Sequence, residues 1–359
     1  MKRGTKVLII ILVILIMVAG GVLAYKVYQN NNQVTEEPVA QEEETSEAKE
    51  VQIYKGTDRP IAVMIDNHQD AWPQAGLNDA YMVYEIIVEG GESRLMALFK
   101  GVDLEKIGPV RSARHYFLDY ALENDAIYVH YGWSPQAESD IAKYDVDNIN
   151  GISESSSSFW RVKDKNSPHN VATSIEDILQ IAESKKYKTT SNAESVLNYV
   201  ADEFNLSDKS SETTSSDSSV MNAEVVTIPY SDLHTVRYEY NEETKRYTRY
   251  ARNIIQTDWD TDEDITTKNI IIEFVENYEL NDGENKGRQT LSNIGTYDGY
   301  YITNGQAIKI KCTKSARDEK TIYTDLNGNE IEVNDGNTWV NICPEDAAVE
   351  IEGSLENGV

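Results

Sequence analysis

The sequence of 359 residues has little cysteine and few basic side chains, and these shortages argue against several classes of protein. Its two cysteines are too few for a disulfide-framework domain or a four-thiolate zinc site. Lysine and arginine number 33 against 61 aspartate and glutamate, a formal net charge of -28, which argues against binding of nucleic-acid phosphates. The 5 histidines form no HxH or HxxxH pair, and no G-x-S-x-G elbow is present. We therefore predict no metal, no cofactor and no serine nucleophile of that type.

One long hydrophobic run lies near the N-terminus. Val7 to Tyr25 contain no charged residue, and a helix of this length spans a hydrocarbon layer of ~30 Å. Lys2, Arg3 and Lys6 precede the run and glutamates follow it, so the positive-inside rule places the N-terminus in the cytoplasm and the rest outside. A cleaved signal peptide is the alternative, but the run exceeds a usual signal core of ~7–15 residues, and we favour an uncleaved anchor. No cysteine lies nearby, which excludes lipid attachment at an N-terminal cysteine.

The rest of the chain divides by composition. A Glu-rich stretch indicates an extended tether, and a Ser-rich stretch indicates a linker between two domains. The predicted organisation is a cytoplasmic stub at 1–6, a transmembrane anchor at 7–25, an acidic tether at 26–55, an α/β domain at 56–206, a Ser-rich linker at 207–222 and a β-rich domain at 223–359.

The first domain alternates strand and helix patterns. Apolar runs predict strands at Ile61–Ile65, Tyr81–Val88, Leu95–Phe99 and Ala126–His130. Helices are predicted at Ser112–Glu123, Pro135–Lys143, Ser174–Lys186 and Asn192–Phe204.

The second domain is rich in short β-type segments separated by turn signals such as Asn304-Gly305. They predict mainly antiparallel hairpins in a sandwich or open barrel, and an α+β class for the whole chain. The 22 tyrosines against 5 phenylalanines fit half-buried strand faces whose hydroxyl groups reach water. A surface that stacks on glycans is the alternative.

Cys312 and Cys343 fall in two of the predicted strands. In an exported protein these thiols are candidates for a disulfide that closes a loop of about 31 residues. Two buried, free thiols are the alternative.

Polar side chains follow several predicted strands of the first domain. Asp66 and His68 follow the first strand, and His130 ends the fourth. In open α/β sheets, ligands bind beyond the carboxyl ends of strands, so these three residues are candidates for acid–base catalysis. Structural or surface roles are the alternative for each histidine.

Two arginines occupy the predicted start of a helix. Arg111 and Arg114 would share one face of its first turn, where the helix dipole already places about +0.5 charge. Two guanidinium groups there need a nearby anion. That anion is either internal, from Asp66, Glu85 or Glu89, or an external phosphate or carboxylate. Arg94, Arg161, His169 and Asn170 are the other residues predicted to extend this ligand-binding cluster.

Several longer blocks resemble a known family. RPIAVMIDN, VEGGESR, IGPVRSAR, AIYVHYGWSPQA and SPHNV resemble the N-terminal domain of the YerB-like proteins, a bacterial cell-envelope group. GYYITNGQAIKIKCTKSA and VNDGNTWVNI are similar to that family's smaller C-terminal β-domain. The resemblance covers about Arg59 to Pro344 and implies a two-part extracytoplasmic protein of unassigned activity. Many relatives look like lipoproteins, whereas this chain has a plain hydrophobic anchor.

Three hypotheses follow from these features. The first is a single-pass, outward-facing envelope protein that binds an anionic or glycan-containing wall component, or a protein partner, through the region of Arg111 and Arg114. The second is an envelope enzyme acting on a phosphate- or sugar-bearing substrate, with Asp66, His68 or His130 as acid or base. The third is a structural or assembly protein whose polar cluster is internal.

Overall fold

The computed structural model of the chain describes residues 3–31, 49–209 and 219–353. It divides into two compact units, Met1–Ala48 and Lys49–Val359. Most of the predicted acidic tether, and the middle of the predicted Ser-rich linker, lie outside the described residues.

The first unit contains helix α1 (Arg3–Asn31), which includes the predicted apolar segment at 7–25. Within it, Ile10–Asn31 is long and apolar enough to cross a membrane, and its side chains are exposed. The predicted N-terminal apolar helix is therefore confirmed.

The described residues of the second unit form four further α-helices and 23 strands. The helices are α2 (Phe117–Glu123), α3 (Pro135–Lys143), α4 (Ile175–Ser184) and α5 (Leu206–Lys209). The strands up to the predicted linker are β1 (Ile61–Asp66), β2 (Met82–Ile87), β3 (Ser93–Phe99), β4 (Ile127–His130), β5 (Asn148–Asn150), β6 (Trp160–Arg161), β7 (Val171–Ala172) and β8 (Tyr199–Val200). The later strands are β9 (Met221–Asn222), β10 (Val225–Pro229), β11 (Thr235–Asn241), β12 (Arg246–Ala251), β13 (Ile254–Ile255), β14 (Thr266–Thr267), β15 (Asn269–Val275), β16 (Asn277–Glu279), β17 (Gln289–Leu291), β18 (Gly295–Thr303), β19 (Gln306–Lys314), β20 (Ile322–Thr324), β21 (Val333–Asn334), β22 (Thr338–Pro344) and β23 (Glu350–Glu352).

One large sheet joins the two halves of the sequence. Its strand order is β20-β19-β18-β15-β22-β2-β3-β1-β4-β5, with β9 also paired to β19. Strand β22 lies between β15 and β2 and is parallel to both. A second sheet, in the order β13-β12-β11-β10-β23 with β14 beside β12, is built from the later strands alone.

The central strands are buried on both faces, so alternate residues enter two different cores. In β1, Ile61, Val63 and Ile65 belong to one core, which also contains residues of the second sheet and of α4. Ala62 and Met64 point to the other core, which α2 and α3 cover. The helices pack where their apolar residues meet these faces. Two of them begin at a side-chain cap, Ser134 for α3 and Ser174 for α4.

The α+β class, the α/β character of the first half and the mainly antiparallel second half are confirmed. Two details are wrong. The segment predicted as a helix at Asn192–Phe204 contains the short strand β8, which pairs with β21. The second half does not form a sandwich or barrel by itself, because β15, β18, β19 and β22 complete the sheet that the first half begins.

The predicted disulfide is also wrong, because Cys312 and Cys343 are both free and buried. Cys312 lies on β19 and Cys343 on β22, with β18 and β15 between them. Three strand spacings amount to roughly 14 Å, about twice the Cα separation that a disulfide tolerates. The two thiols also enter cores on opposite faces of the sheet.

Candidate functional site

A cleft of about 360 Å³ lies beyond the carboxyl ends of β1 and β2. These two strands run in the same direction, since both are antiparallel to β3. Asp66 ends β1, Glu89 follows β2, and Arg94 lies near the start of β3. The cleft therefore occupies the position that the sheet topology predicts for a ligand site. We call it the arginine cleft after Arg94, Arg111 and Arg114, which line it.

Asp66 is the buried acidic centre of the cleft. Its Oδ2 accepts a hydrogen bond from His169 Nδ1 at 2.8 Å and lies 3.2 Å from Arg111 Nε. Its Oδ1 accepts from the His68 amide at 3.2 Å. Three neighbours therefore hold this carboxylate in one orientation.

Two histidines stack at the rim of the cleft. The rings of His68 and His169 are 4.5 Å apart between centroids and 20° from parallel. His68 caps a turn of 3-10 helix at Gln69–Ala71, and its Nδ1 accepts from the Asp70 amide at 3.2 Å. His169 comes from the loop between β6 and β7, far along the chain. Both rings are partly exposed and line the cleft.

Arg111 and Arg114 lie before α2, which begins at Phe117, so the prediction that they share the first turn of a helix is wrong. Their segment is extended because the Arg111 amide donates to the Met64 carbonyl and the Ala113 amide donates to the Gly132 carbonyl. Asp66, Glu85 and Glu89 were predicted as internal anionic partners of the two arginines, and two of these three carboxylates lie beside them. Arg111 lies beside Asp66, as described above, and Arg114 donates two hydrogen bonds to Glu89, at 2.7 and 2.8 Å.

Glu89 reaches Arg114 because of the turn that carries it. Gly90 and Gly91 follow it with φ of 74°, a backbone region that favours glycine. Burial opposes ionisation of Glu89, but the hydrogen bonds and charge of Arg114 outweigh it, and the pKa of Glu89 is lowered.

Arg94 differs from the other two arginines because its guanidinium has no acidic partner among the described residues. The residue is 6% exposed, and its Nη1 donates to the Ser112 carbonyl at 2.7 Å. Its Nε is buried without a hydrogen-bond partner in the described parts of the chain. Burial and the nearby Arg114 lower the pKa of Arg94 to about 9, against the attraction of Asp66 and Glu89. The side chain therefore stays charged at neutral pH.

The charged residues that line the cleft have an excess of positive charge. The basic ones are Arg94, Arg111, Arg114, Lys286 and Arg288, and the acidic ones are Asp66, Glu89 and Glu92. Lys286 and Arg288 come from the connection between β16 and β17, in the second half of the chain. Lys286 and Arg288 pair with Glu284, and Arg288 pairs also with Asp282, so Arg94 is the lining arginine that has no carboxylate partner in the described parts of the chain.

Glu85 lies below the cleft and does not line it. It is fully buried, with Arg249 Nη2 at 2.9 Å from Oε2 and His234 Nε2 at 2.9 Å from Oε1. Ser93 also donates to Oε1, at 2.6 Å. Burial alone would raise the pKa of Glu85, but Arg249, His234 and Ser93 lower it to about 2. The network joins β2 to the second sheet and is structural.

Three other predicted site residues do not line the cleft. His130 is fully buried and contacts the Gly132 carbonyl and Asn148, and burial lowers its pKa to about 4. Arg161 donates to Asn170 Oδ1 at 2.6 Å, and Asn170 donates to backbone carbonyls of the same loop. Arg161 and Asn170 therefore brace the loop that carries His169.

The arginine cleft thus combines Asp66, His68, Glu89, Arg94, Arg111, Arg114 and His169 from the predicted set. Sequence reasoning missed Glu92, Lys286 and Arg288, and also His234 in the network below. Glu92 belongs to the VEGGESR block, between the predicted site residues Glu89 and Arg94, and this position could have identified it. The other three come from the second half of the chain, and no local pattern links them to the cleft.

A larger depression of about 810 Å³ lies beside α4, lined by residues such as Arg59, Lys100 and Leu179. None of its lining side chains contains a buried polar atom without a hydrogen-bond partner. The smaller arginine cleft therefore remains the better candidate site, because an unpaired buried donor indicates a missing acceptor.

Comparison with known proteins gives one consistent result. Residues 45–188 match “Protein of unknown function (DUF3048) N-terminal domain”, and residues 226–340 match the corresponding C-terminal domain. The chain is 32% identical over 299 residues to “Putative lipoprotein YerB” of Bacillus subtilis (strain 168), which covers 81% of this chain and 83% of that protein. The crystal structure of YerB protein from Bacillus subtilis is similar to this fold, with a TM-score of 0.70 at 29% identity, covering 82% of this chain and 94% of the other.

Proposed function

The chain belongs to the DUF3048 family, and we propose that it is a membrane-anchored, extracytoplasmic cell-envelope protein that binds an anionic ligand in the arginine cleft. The ligand is an anionic or glycan-containing wall component, or an acidic segment of a protein partner.

Attachment to the membrane through α1 supports the envelope part of this proposal. The relative in Bacillus subtilis is named as a lipoprotein, which implies attachment through a lipid. This chain has an apolar helix of membrane-spanning length near its N-terminus. With Lys2, Arg3 and Lys6 before the helix, the positive-inside rule gives a single-pass topology with the second unit outside the cell.

Arg94 is the single observation that supports ligand binding most strongly. A buried guanidinium carries a large desolvation cost unless it is paired. Arg111 and Arg114 each lie beside a carboxylate, whereas Arg94 has one backbone carbonyl and no carboxylate partner among the described residues. The Nε atoms of Arg94 and Arg111 are both buried without a hydrogen bond in that part of the chain. A phosphate or carboxylate in the cleft would supply the missing acceptors in a charge-assisted geometry.

Binding of inorganic phosphate tests this proposal directly. The full-length chain in detergent is melted at increasing phosphate concentration, and a saturable rise in Tm is expected. At a concentration 100 times Kd, binding stabilises the folded state by about 2.7 kcal/mol. Arg94→Met should abolish the saturable part and leave only the general stabilisation that phosphate gives any protein.

Arg59→Met is the matched control. Arg59 is partly buried and ion-paired with Asp147, but it lines the depression beside α4. This variant should keep the wild-type response to phosphate. An equal response in the wild type and in Arg94→Met would overturn the proposal, and so would loss of the response in Arg59→Met alone.

An envelope enzyme is a second candidate, favoured by one contact. The 2.8 Å hydrogen bond between His169 and Asp66 orients an imidazole toward the cleft, as in acid–base sites where a carboxylate fixes a histidine. Turnover of a phosphate- or sugar-bearing wall precursor, lost in His169→Gln while phosphate still binds, would favour the enzyme over the binding protein.

A further inference from the structure

Three potential metal ligands meet at the rim of the arginine cleft. His68, Asp70 and His169 each offer one ligand atom, and these atoms lie within 4.8 Å of one another. Imidazole nitrogen with carboxylate oxygen is a donor set that suits Zn²⁺ and neighbouring first-row cations. We propose that these three side chains bind one divalent cation of this class.

His169 is already oriented for this role. Its Nδ1 lies 2.8 Å from Asp66 Oδ2, and an ionised carboxylate only accepts hydrogen bonds, so Nδ1 carries the proton. The lone pair of Nε2 is therefore the one available to a metal. Metal-bound histidines commonly donate their other N–H to a carboxylate in this way. Asp66 acts here as a positioning residue.

His68 and Asp70 form the second part of the site. They are two residues apart in a tight turn, with His68 Nδ1 at 3.7 Å from Asp70 Oδ2. Coordination through Nδ1 replaces the hydrogen bond that this atom accepts from the Asp70 amide at 3.2 Å. Zinc bonds of ~2.0–2.2 Å in a tetrahedron require ligand atoms roughly 3.4 Å apart. The three side chains are all partly or fully exposed at the rim, so small rotations close the remaining distance.

The charges around the site are compatible with a cation. Arg111 and Arg252 are basic groups near it, and the charge of Arg111 is offset by Asp66 at 3.2 Å. Glu92 Oε1 lies 4.0 Å from His68 Nε2, and Glu92 Oε2 pairs with Arg252, so the charges of this second pair also offset each other. Three protein ligands leave a fourth position for water or for an anion in the cleft, which His68 and His169 also line.

Titration of the metal-free, full-length chain in detergent with Zn²⁺ tests the proposal, followed by Co²⁺ as a spectroscopic probe. We expect saturable binding of one Zn²⁺ per chain and Co²⁺ absorption bands of a site with nitrogen and oxygen ligands. His68→Gln and His169→Gln should each abolish both signals. Asp66→Asn should lower the affinity about 10–100-fold while the stoichiometry stays at one.

His115→Gln is the matched control, since His115 contacts Thr290 and does not belong to the site. Its Zn²⁺ affinity should equal that of the wild type. Asp70→Asn changes an exposed side chain, so this variant should fold even if a histidine variant does not. Its Zn²⁺ affinity should be lower than that of the wild type. Binding unchanged in Asp70→Asn and in the folded histidine variants, or no saturable binding at all, would overturn the proposal. Phosphate binding measured with a chelator present tests the arginine cleft separately.

Discussion

Asp66 and Arg94 are directly opposed in the register of β1 and β3, yet they do not form an ion pair. The Asp66 carboxylate is held by His169 and lies beside Arg111, while the Arg94 guanidinium donates to the Ser112 carbonyl. Side chains at directly opposed positions lie on the same face of a sheet. The cleft therefore contains the buried charge of Arg94 near the Asp66 carboxylate, which interacts with His169 and Arg111 instead.

This arrangement predicts that Arg94→Met abolishes phosphate binding and leaves the stability of the fold nearly unchanged. The substitution removes one hydrogen bond to Ser112 but also removes the desolvation cost of an unpaired buried charge. We expect the free energy of unfolding to change by less than about 1 kcal/mol. Urea denaturation without phosphate measures it. A loss of more than about 3 kcal/mol would instead assign Arg94 to a structural network.

The Glu85 network predicts the opposite behaviour. Arg249→Met leaves the Glu85 carboxylate fully buried without its ion-pair partner. We expect a loss of about 3–5 kcal/mol in the free energy of unfolding, measured by urea denaturation. Arg237→Met, which breaks a partly exposed pair with Glu239, should cost only about 0–1 kcal/mol. Equal losses in the two variants would contradict this interpretation.

Glu273 predicts a pH dependence of stability. Burial, and then the charge of Glu123, raise the pKa of Glu273 to about 7, although Tyr323 donates a hydrogen bond to it. The folded state thus binds this proton more tightly than the unfolded state, whose glutamate has a pKa of about 4.3. The stabilisation is fully present below pH of about 4 and is lost as the pH rises through 7.

Glu273→Gln removes this dependence. The variant should therefore gain stability relative to the wild type as the pH rises from 5 to 8, by roughly 3 kcal/mol in total. Urea midpoints at pH 5, 6, 7 and 8 measure the difference. Glu276→Gln, an exposed neighbour, should show no such trend. A constant difference between Glu273→Gln and the wild type would show that Glu273 does not titrate in this range.

The cysteines predict a simple titration result. Burial raises the pKa of both thiols, so neither should react with a thiol reagent in the folded protein. After unfolding without a reductant, two thiols per chain should react, and a reductant should leave the Tm unchanged. If no thiol reacts in the unfolded, unreduced protein, Cys312 and Cys343 form a disulfide and the assignment as free thiols is wrong.

Local patterns predicted much of the fold. The apolar runs at β1 to β4 and the capped helices α3 and α4 were correct because burial, periodicity and capping act over a few residues. The helix predicted from Ser112 was wrong at its start, because Arg111 and Ala113 form backbone hydrogen bonds with distant segments. Helix propensity is a weak force against such tertiary pairing.

The sequence by itself determined the apolar helix, the two-part family resemblance and the position of Asp66 at the end of a strand. Tertiary structure alone decided which charges meet. It paired Arg114 with Glu89 and not Glu85, buried His130, left Arg94 unpaired, and placed two strands between the cysteines. The physical reason is that strand order and sheet packing set these distances, and they depend on contacts between residues that are far apart in the chain.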